Sequence, residues 1–475
     1  MTAMKKYIFT ALLTMMIALS GCDNYIDVMP KGMRIPKTLA DYEALLRNEY
    51  SANYLPSLQA LYLINDKFVE ANNCRNVDDL RTANYMWKES RNRCELNSST
   101  EDMFDNGYGI IGIVNTIIEE VPSATECTEA ERAEVLSYAH AIRAFVLYYI
   151  VNFYADAYDP AKAASTPGIP LIYSGGLGSP WHQGTVKEVY DQILADFNKA
   201  IELGIPETSM TAVHPNRAAV EGGLARVYLS MRDYDAALTH ANAALQRKSD
   251  LFEWIDYYNQ YKNRIDNPED YTLISSPMDH TCVENLWFCS GEGNPNYPCA
   301  DIDISVERAS KFEQGDMKAL VRWKKYTSAT DTYYKGMLTG YYNLSGIATP
   351  EVYLIKAECQ ARKASGSTID DALTTLDKVR KSRIHPDFYQ PSAASNSAEA
   401  LELIRRTKDN EMIKSIIPFI DMKRYNAEGT YARTLTKEFD GQTYTLPPTS
   451  HLWTMVFPAN AINRPGNGVL TQNSK

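Results

Sequence analysis

The most informative stretch of the sequence is AAVEGGLARVYLSMRDYDAALTHANAAL, residues 218–245. Its small and large apolar residues recur at the positions where a tetratricopeptide unit packs its two helices against each other. These residues are Leu224, Ala225, Tyr228, Ala237, Ala241, Ala244 and Leu245. Residues 231–234 predict the tight turn between the helices, and the small alanine side chains allow close helix approach. The stretch therefore predicts an antiparallel helix pair.

Further helices are predicted on both sides of this pair. A looser copy of the pattern runs from Val352 through a turn at Gly366 to Val379. Upstream, Thr128 and Thr185 are each followed three residues later by Glu and then by apolar residues at helical spacing, a typical helix start. The two repeat copies are separated by roughly 100 residues rich in Pro, Asn, Tyr and Trp, which is too long for a connector and indicates a functional insertion.

The N-terminus has the form of an export signal. Lys5 and Lys6 precede the apolar stretch Tyr7–Ala18, and Leu19-Ser20-Gly21-Cys22 follows. The apolar stretch is too short for a spanning helix, and small residues ending in Cys are typical of a bacterial lipoprotein in which Cys22 carries the lipid. A plain secretory signal with a chance cysteine is the alternative. We expect a chain anchored to a membrane through Cys22 rather than one that spans it.

Composition excludes several classes of protein. The chain is 45% hydrophobic and 23% charged, as expected for a globular protein rather than a disordered one. Its net charge of −11 argues against nucleic acid as the main partner, because a phosphate backbone needs a basic surface. Tyrosine is abundant, with 32 residues, and suits binding surfaces as well as cores because its ring is apolar and its tip polar.

The cysteines leave the disulfide pattern open. Seven follow Cys22 in the sequence, and an exported protein can form disulfides. The pairs Cys74/Cys94 and Cys289/Cys299 are plausible by proximity, although spacing does not determine connectivity. Because no C-x-x-C occurs, zinc ribbons and thioredoxin-like redox motifs are not expected.

Motifs for catalysis are weak. Gly107, Gly109 and Gly112 match the dinucleotide fingerprint G-x-G-x-x-G, but the preceding residues are polar and start a helix instead of forming a buried strand. The sequence has no H-E-x-x-H, no P-loop and no G-x-S-x-G. A glycosidase needs only two facing carboxylates, so composition does not exclude one. We expect no cofactor, no metal and no catalytic residue.

Several motifs distributed along the chain resemble those of the SusD/RagB family of Bacteroidetes outer-membrane nutrient-binding lipoproteins. Early ones are Tyr25–Gly32, the pattern Tyr108-x-x-Ile111-x-x-x-Asn115, Ala141–Phe145 and Gly168–Leu171. Later ones are Arg217–Leu229, Val352–Glu358, Asp421–Tyr425 and Leu470–Asn473. The resemblance covers almost the whole chain.

The resemblance implies an all-α protein: a tetratricopeptide-like helix-pair scaffold with a long, loop-rich ligand-binding face. After a signal peptide at residues 1–21, residues 22–475 would form one SusD-like domain. Helix-pair units are expected near 129–201, 217–247 and 350–383, and loop-rich segments near 70–98 and 280–345. The family binds nutrient glycans, sometimes peptides, without catalysis. It delivers them to a SusC-type TonB-dependent transporter at the exterior face of the outer membrane.

Sugars are held by stacked aromatic rings and by amide or guanidinium groups, and two segments outside the repeats have that composition. The candidate ligand-binding residues are Asn72, Asn73, Arg81, Tyr85, Trp87, Trp287, Asn294, Tyr297 and Trp323. In the family, loops from these two regions approach each other, so both are expected to line one pocket. We predict an aromatic platform of Trp87 with Trp287 or Trp323, with core packing as the alternative for each tryptophan. Peptide capture and a lipid-anchored glycoside hydrolase are the competing functions.

Overall fold

The computed structural model describes residues 36–47, 55, 57–75, 78–96, 102–176, 178–290, 299–463 and 465–474. Most of the ordered elements are helices. In chain order they are α1 (Leu39–Leu46), α2 (Leu58–Leu63), α3 (Ala71–Cys74), α4 (Leu80–Tyr85), α5 (Arg93–Leu96), α6 (Asp102–Glu120), α7 (Glu129–Tyr154), α8 (Val186–Glu202), α9 (Arg217–Met231), α10 (Tyr234–Arg247), α11 (Trp254–Ile265), α12 (Val306–Ala309), α13 (Met317–Arg322), α14 (Thr349–Ala361), α15 (Ile369–Lys381), α16 (Ser397–Glu411), α17 (Ile417–Glu428) and α18 (Ala459–Asn463).

The strands are short and lie mainly between the two repeat copies. They are β1 (Pro167–Leu171), β2 (His182–Thr185), β3 (Ile274–Ser275), β4 (Asn285–Trp287), β5 (Cys299–Ala300), β6 (Ile304–Ser305), β7 (Trp323–Thr327), β8 (Thr332–Gly336), β9 (Leu338–Gly340), β10 (Ile347–Ala348), β11 (Leu435–Phe439) and β12 (Gln442–Leu446). They pair into small sheets in the orders β1-β2, β10-β4, β11-β12, β3-β9-β5 and β6-β8-β7. The insertion is therefore a set of small sheets as well as loops.

The predicted helix starts are present. Helix α7 begins with a capping box in which the Thr128 hydroxyl accepts from the Glu131 backbone N–H at 3.3 Å, while the Glu131 carboxylate accepts from the Thr128 backbone N–H at 2.7 Å. Thr185 and Glu188 form the same box at the start of α8. Because a first helical turn leaves backbone donors unpaired, this reciprocal pair fixes where the helix begins. The G-x-G-x-x-G motif lies inside helix α6, as expected for a chance match.

Neighbouring helices pack side by side in a row that forms the scaffold. Helix α7 packs against α6 and α8, α8 packs against α9, and α9 pairs with α10 through a turn in which Arg232 adopts a left-handed conformation. The second pair, α14 and α15, follows a long insertion, yet α14 packs directly against α10. The two repeat copies are thus adjacent in space, which confirms the tetratricopeptide-like architecture.

The core follows this row of helices. Helix α7 is buried on nearly all sides over its last two thirds, because helices cover it on both flanks. Several buried tyrosines bond their hydroxyls inside the core: the Tyr148 hydroxyl lies 2.8 Å from the Ser230 hydroxyl, and the Tyr149 hydroxyl donates to Gly346 O at 3.2 Å. Much of the tyrosine excess therefore serves packing. Among the described residues, no helix combines the length and apolar character needed to cross a bilayer.

Candidate functional site

Residues 68–71, at the start of the first predicted segment, lie against residues 303–333 of the second. The Phe68 backbone N–H donates to Asp303 O at 2.8 Å, and the Ala71 N–H donates to the Asp331 carboxylate at 3.2 Å. The Phe68 ring stacks on Tyr333 with centroids 4.8 Å apart. Residues separated by about 250 positions along the chain are therefore joined by backbone hydrogen bonds and ring stacking.

A groove runs along this junction and consists of two adjoining cavities. The aromatic cavity, of about 420 Å³, lies between residues 64–87, 305–331 and 434–439. The arginine cavity, of about 350 Å³, is lined by residues from 308–312, 402–410 and 422–435. The two share Ile64, Arg308, Lys311 and Leu435 as a common wall, so one elongated ligand has access to both.

Lys437 covers the aromatic side chains of the first cavity. Its ammonium lies 3.9 Å from the centroid of the Tyr85 ring and 4.6 Å from that of Trp87, and it donates to Tyr85 O. Burial lowers the pKa of Lys437 to about 7, despite the opposing effects of Cys74 and Glu307. The cavity therefore combines aromatic surface with the buried amine of Lys437.

Sequence reasoning missed this lysine because it did not identify the hairpin that carries it. Strands β11 and β12 pair in register through the turn Asp440-Gly441, where both residues have positive φ. An Asp-Gly pair between two strand-like runs is the strongest short-range hairpin signal, so the information was present in the sequence. This local signal does not show where on the protein the hairpin packs.

The arginine cavity has a buried ion pair at its centre. Arg308 donates from Nε to Asp66 Oδ1 at 2.7 Å and from Nη2 to Asp409 O at 3.0 Å. Burial, together with the nearby carboxylates of Asp66 and Asp421, raises the pKa of Asp409 to about 7. The other charged side chains that line the cavity are Lys311, Glu402, Arg405, Arg406 and Arg433.

The structure places Trp287 and Trp323 in the interior, and the platform predicted from them is therefore wrong. Trp287 has no exposed surface, stacks on Phe145 at 4.5 Å and donates its indole N–H to Val213 O at 2.9 Å. Trp323 is 4% exposed and donates to Ile302 O at 2.8 Å. The polar residues around these tryptophans flank short buried strands, which is why their spacing resembled that of a surface loop.

The segment 72–92 contributes less to the groove than predicted. Tyr85 and Trp87 line the aromatic cavity, but both are buried, and Trp87 donates its indole N–H to Leu63 O at 2.7 Å. Trp87 is thus mainly a core residue. Outside the cavity lining, Asn72 and Asn73 lie on the exposed surface of the one-turn helix α3, and Arg81 is exposed beside Asp79 at 3.5 Å. The predicted residues Asn294, Tyr297 and Cys22 fall outside the described residues.

Both predicted cysteine pairs include thiols that are free in the structure. Cys74, Cys94 and Cys289 are unbonded. The Cys74 Sγ donates to Val69 O, and the Cys94 Sγ donates to Ser474 O, so the two thiols have separate local partners. In the described ranges no group of three His, Cys, Asp or Glu side chains is arranged to hold a metal ion.

Two larger cavities lie outside this groove, and residues of the predicted segment near 280–345 line one of them. One, of about 860 Å³, is lined by Lys423, whose ammonium donates to Asn152 O at 2.7 Å and Ala155 O at 2.6 Å. This lysine caps the last carbonyls of α7, a structural role. The other, of about 680 Å³, contains Arg247 in an ion pair with Glu207 at 3.0 Å. In the groove, by contrast, Phe68, Tyr85 and Trp87 lie next to charged groups, which makes it the candidate site.

The fold is a helix-pair scaffold, and segments before, between and after the two repeat copies line the groove, which is the candidate ligand site. Comparisons with known proteins give relatives of the same fold. A family described as "Starch-binding associating with outer membrane" matches residues 24–229. The SusD-like protein P2 of Formosa agariphila is 25% identical over 253 residues, which are 52% of this chain and 47% of that protein, so the match spans about half of the relative's length. The N-terminal part of the chain, residues 24–229, is therefore similar to the SusD-like family.

Solved structures show the same fold. A SusD superfamily protein from Bacteroides thetaiotaomicron has a TM-score of 0.67 at 17% identity, over 92% of this chain and 100% of that one. A SusD-like carbohydrate binding protein from Bacteroides vulgatus has a TM-score of 0.59 at 18% identity, over 87% and 89% of the two chains. At this level of identity the likeness concerns the fold alone. The family description adds carbohydrate binding and association with the outer membrane at the family level.

Proposed function

We propose that this protein binds nutrient oligosaccharides in the groove and delivers them to a SusC-type TonB-dependent transporter. The observation that supports binding is the groove itself, where Phe68, Tyr85 and Trp87 line one end and charged side chains line the other. Of these three rings Phe68 is partly exposed, with one face stacked on Tyr333, whereas Tyr85 and Trp87 are buried. A partly exposed ring in an elongated groove suits a sugar chain, which needs stacking surface and hydrogen bonds along its rim.

An array of glycans and peptides, probed with the Cys22→Ala chain, tests the binding. We expect glycans to be retained, and Phe68→Ala to weaken the best of them about fivefold to tenfold in calorimetry, because one stacking contact is lost. Phe388→Ala is the matched control: Phe388 is 47% exposed and lies outside the groove lining, so affinity should not change. Retention of peptides alone would support the peptide-capture alternative instead.

The anchor and the transporter are the remaining parts of this proposal. If Cys22 carries the lipid, Cys22→Ala will move the protein from the membrane pellet to the soluble fraction, since each buried CH₂ of an acyl chain contributes about 0.8 kcal/mol. Wild-type protein extracted gently at native expression should purify with a large β-barrel transporter. A salt-resistant pellet of the mutant would refute the anchor, and recovery of a lone monomer would refute the transporter partnership.

A glycoside hydrolase is a second candidate because Asp66 and Asp409 line the same cavity. A general acid needs a raised pKa, as Asp409 has, and Asp66, which pairs with Arg308 at 2.7 Å, would be the second carboxylate. Release of reducing ends from the bound glycan, abolished by Asp409→Asn, would establish this activity. Binding without any release of reducing ends would establish the binding role.

A further inference from the structure

The arginine cavity differs in charge from the protein around it. Its lining holds five basic side chains, Arg308, Lys311, Arg405, Arg406 and Arg433, against three carboxylates. The chain as a whole carries a net charge of −11. A local excess of cations in an acidic protein calls for an explanation, because like charges repel one another and are costly to bring together.

Arg405 is the best-defined cation in this cavity. Its guanidinium lies 3.8 Å from the centroid of the Tyr425 ring, and its Nη1 donates to Tyr431 O at 3.1 Å. Arg405 is buried, yet no carboxylate of the described residues forms an ion pair with it. A guanidinium fixed by a ring and one hydrogen bond keeps donors for a ligand and loses little conformational freedom on binding.

Two neighbouring cations are only weakly held. Arg406 is 4.0 Å from Glu313 with 46% of its side chain exposed, and Lys311 is 3.8 Å from Glu307 with 55% exposed. Exposed pairs of this kind contribute little and are easily exchanged for another anion. Arg308, in contrast, is committed to Asp66 at 2.7 Å.

The carboxylates of the cavity do not cancel this charge. Asp66 is neutralised by Arg308, and Glu402 pairs with Arg433 at the exposed rim. Asp409, which has a raised pKa for the reasons given above, is partly protonated near neutral pH. The basic wall of the cavity therefore consists of Arg405, which has no ion-pair partner among the described residues, and of Arg406 and Lys311, whose pairs are long and exposed.

We propose that the arginine cavity binds an anionic substituent, a carboxylate or a sulfate, on the oligosaccharide whose uncharged part occupies the aromatic cavity. This inference rests on the proposed function and names the class of glycan. The common wall of the two cavities places both on one ligand. Planar guanidinium groups match carboxylate and sulfate oxygens with paired hydrogen bonds, which a neutral sugar does not need.

The test uses matched pairs of glycans on one array with the Cys22→Ala chain. Uronic acid oligosaccharides are paired with their carboxyl-reduced forms, and sulfated oligosaccharides with their desulfated forms. We expect one anionic member to bind about tenfold more tightly than its neutral partner at low salt, because charge-assisted hydrogen bonds are lost in the neutral form. Raising the salt concentration should reduce this preference.

Substitutions then identify the side chains that cause the preference for the anionic glycan. Arg406→Gln, at an exposed position, and Arg405→Gln should each weaken the anionic glycan about tenfold and so reduce its preference over the neutral partner. Arg405→Lys should retain part of the preference by keeping the charge without the planar fork. Arg247→Gln changes the chain charge equally in another cavity and is the matched control.

The outcomes separate the two proposals. Equal affinity for both members of every pair would overturn the anionic preference while leaving glycan binding intact. An equal loss with Arg247→Gln and Arg406→Gln would show a non-specific charge effect and overturn the assignment to this cavity. If no glycan binds to the folded chain, the proposed function itself fails and this inference falls with it.

Discussion

Arg226 of helix α9 and Glu351 of helix α14 form a buried bidentate ion pair that joins the two repeat copies. The distances are 2.7 Å from Nε to Oε1 and 2.6 Å from Nη2 to Oε2. Side-chain exposures are 3% and 0%. Nη1 also donates to the Tyr149 hydroxyl at 2.7 Å, and Nη2 to Gly346 O at 2.8 Å. Every guanidinium nitrogen thus has a partner, which is the condition under which a buried ion pair is tolerated.

Glu351→Gln should therefore destabilise the fold severely. It leaves the Arg226 guanidinium buried without its counter-charge, and breaking such a pair costs about 3–5 kcal/mol. Urea denaturation followed by circular dichroism measures the change. The matched control is Glu207→Gln, which removes the partner of Arg247 at a position 66% exposed and should cost under about 1 kcal/mol. Equal effects of the two changes would contradict the coupling of the repeats through Arg226.

Trp287→Ala should lower stability without a specific effect on ligand binding. The side chain is fully buried against Phe145, and truncation of a large buried aromatic costs about 3–5 kcal/mol. Thermal melting detects the loss, and calorimetry below the melting range should show unchanged glycan affinity for the folded fraction. An unchanged melting temperature with lost affinity would restore Trp287 as a ligand residue.

His214 should make the protein less stable as the pH falls. The ring is 1% exposed, and its Nδ1 lies 2.7 Å from the Thr211 hydroxyl. Burial, with the charge of Arg47, lowers the pKa of His214 to about 4 from its ordinary 6.5. The unfolded chain therefore binds a proton between pH 6.5 and 4 that the folded chain does not. The stabilising contribution is complete above pH 6.5 and is lost as the pH falls towards 4.

The comparison with His214→Gln isolates this effect from other titrating groups. Wild-type unfolding free energy should fall more steeply than that of the variant between pH 6.5 and 4, by up to about 3 kcal/mol, since each pKa unit corresponds to about 1.4 kcal/mol. Urea titrations at several pH values measure both slopes. Parallel slopes for the two proteins would show that folding does not lower the pKa of His214 and would contradict this prediction.

Two helical glycines should respond oppositely to alanine. A Cβ at Gly223 in α9 would lie 2.6 Å from Phe197 and 2.9 Å from Phe145, so Gly223→Ala should cost about 1–3 kcal/mol through overpacking. A Cβ at Gly109 in α6 meets nothing within 4 Å, so Gly109→Ala should stabilise by about 0.5–1 kcal/mol. Melting temperatures of the two variants measure the difference. A stabilising Gly223→Ala would contradict the close approach of α9 to its neighbours.

The elements predicted correctly are those whose signals lie within a few residues. The turn of the first repeat at residues 231–234 and the capping boxes at Thr128 and Thr185 depend on neighbours three or four positions away. Helical spacing of apolar residues is equally local. The family motifs indicated the overall architecture, because they resemble those of the SusD/RagB family along almost the whole chain.

The motifs did not reveal what their residues contact. Arg143 donates to Asn115 at 2.8 Å and pairs with Asp196 at 2.7 Å, which joins α6, α7 and α8. Arg424 pairs with Glu358 at 2.7 Å, which joins two motifs 66 positions apart. These contacts are structural, so these residues of the family motifs hold the scaffold together and lie outside the lining of the groove.

The sequence by itself determined the helix pairs and their starting points and showed the family resemblance, because each depends on local spacing or on ordered motifs. Only the tertiary structure decided which tryptophans are buried and which charges share a cavity. Lys437 covers Tyr85 from 352 positions away, and Arg308 reaches Asp66 across 242. A groove of this kind is set by where distant segments pack. Composition alone cannot show which face of a ring the packing leaves open.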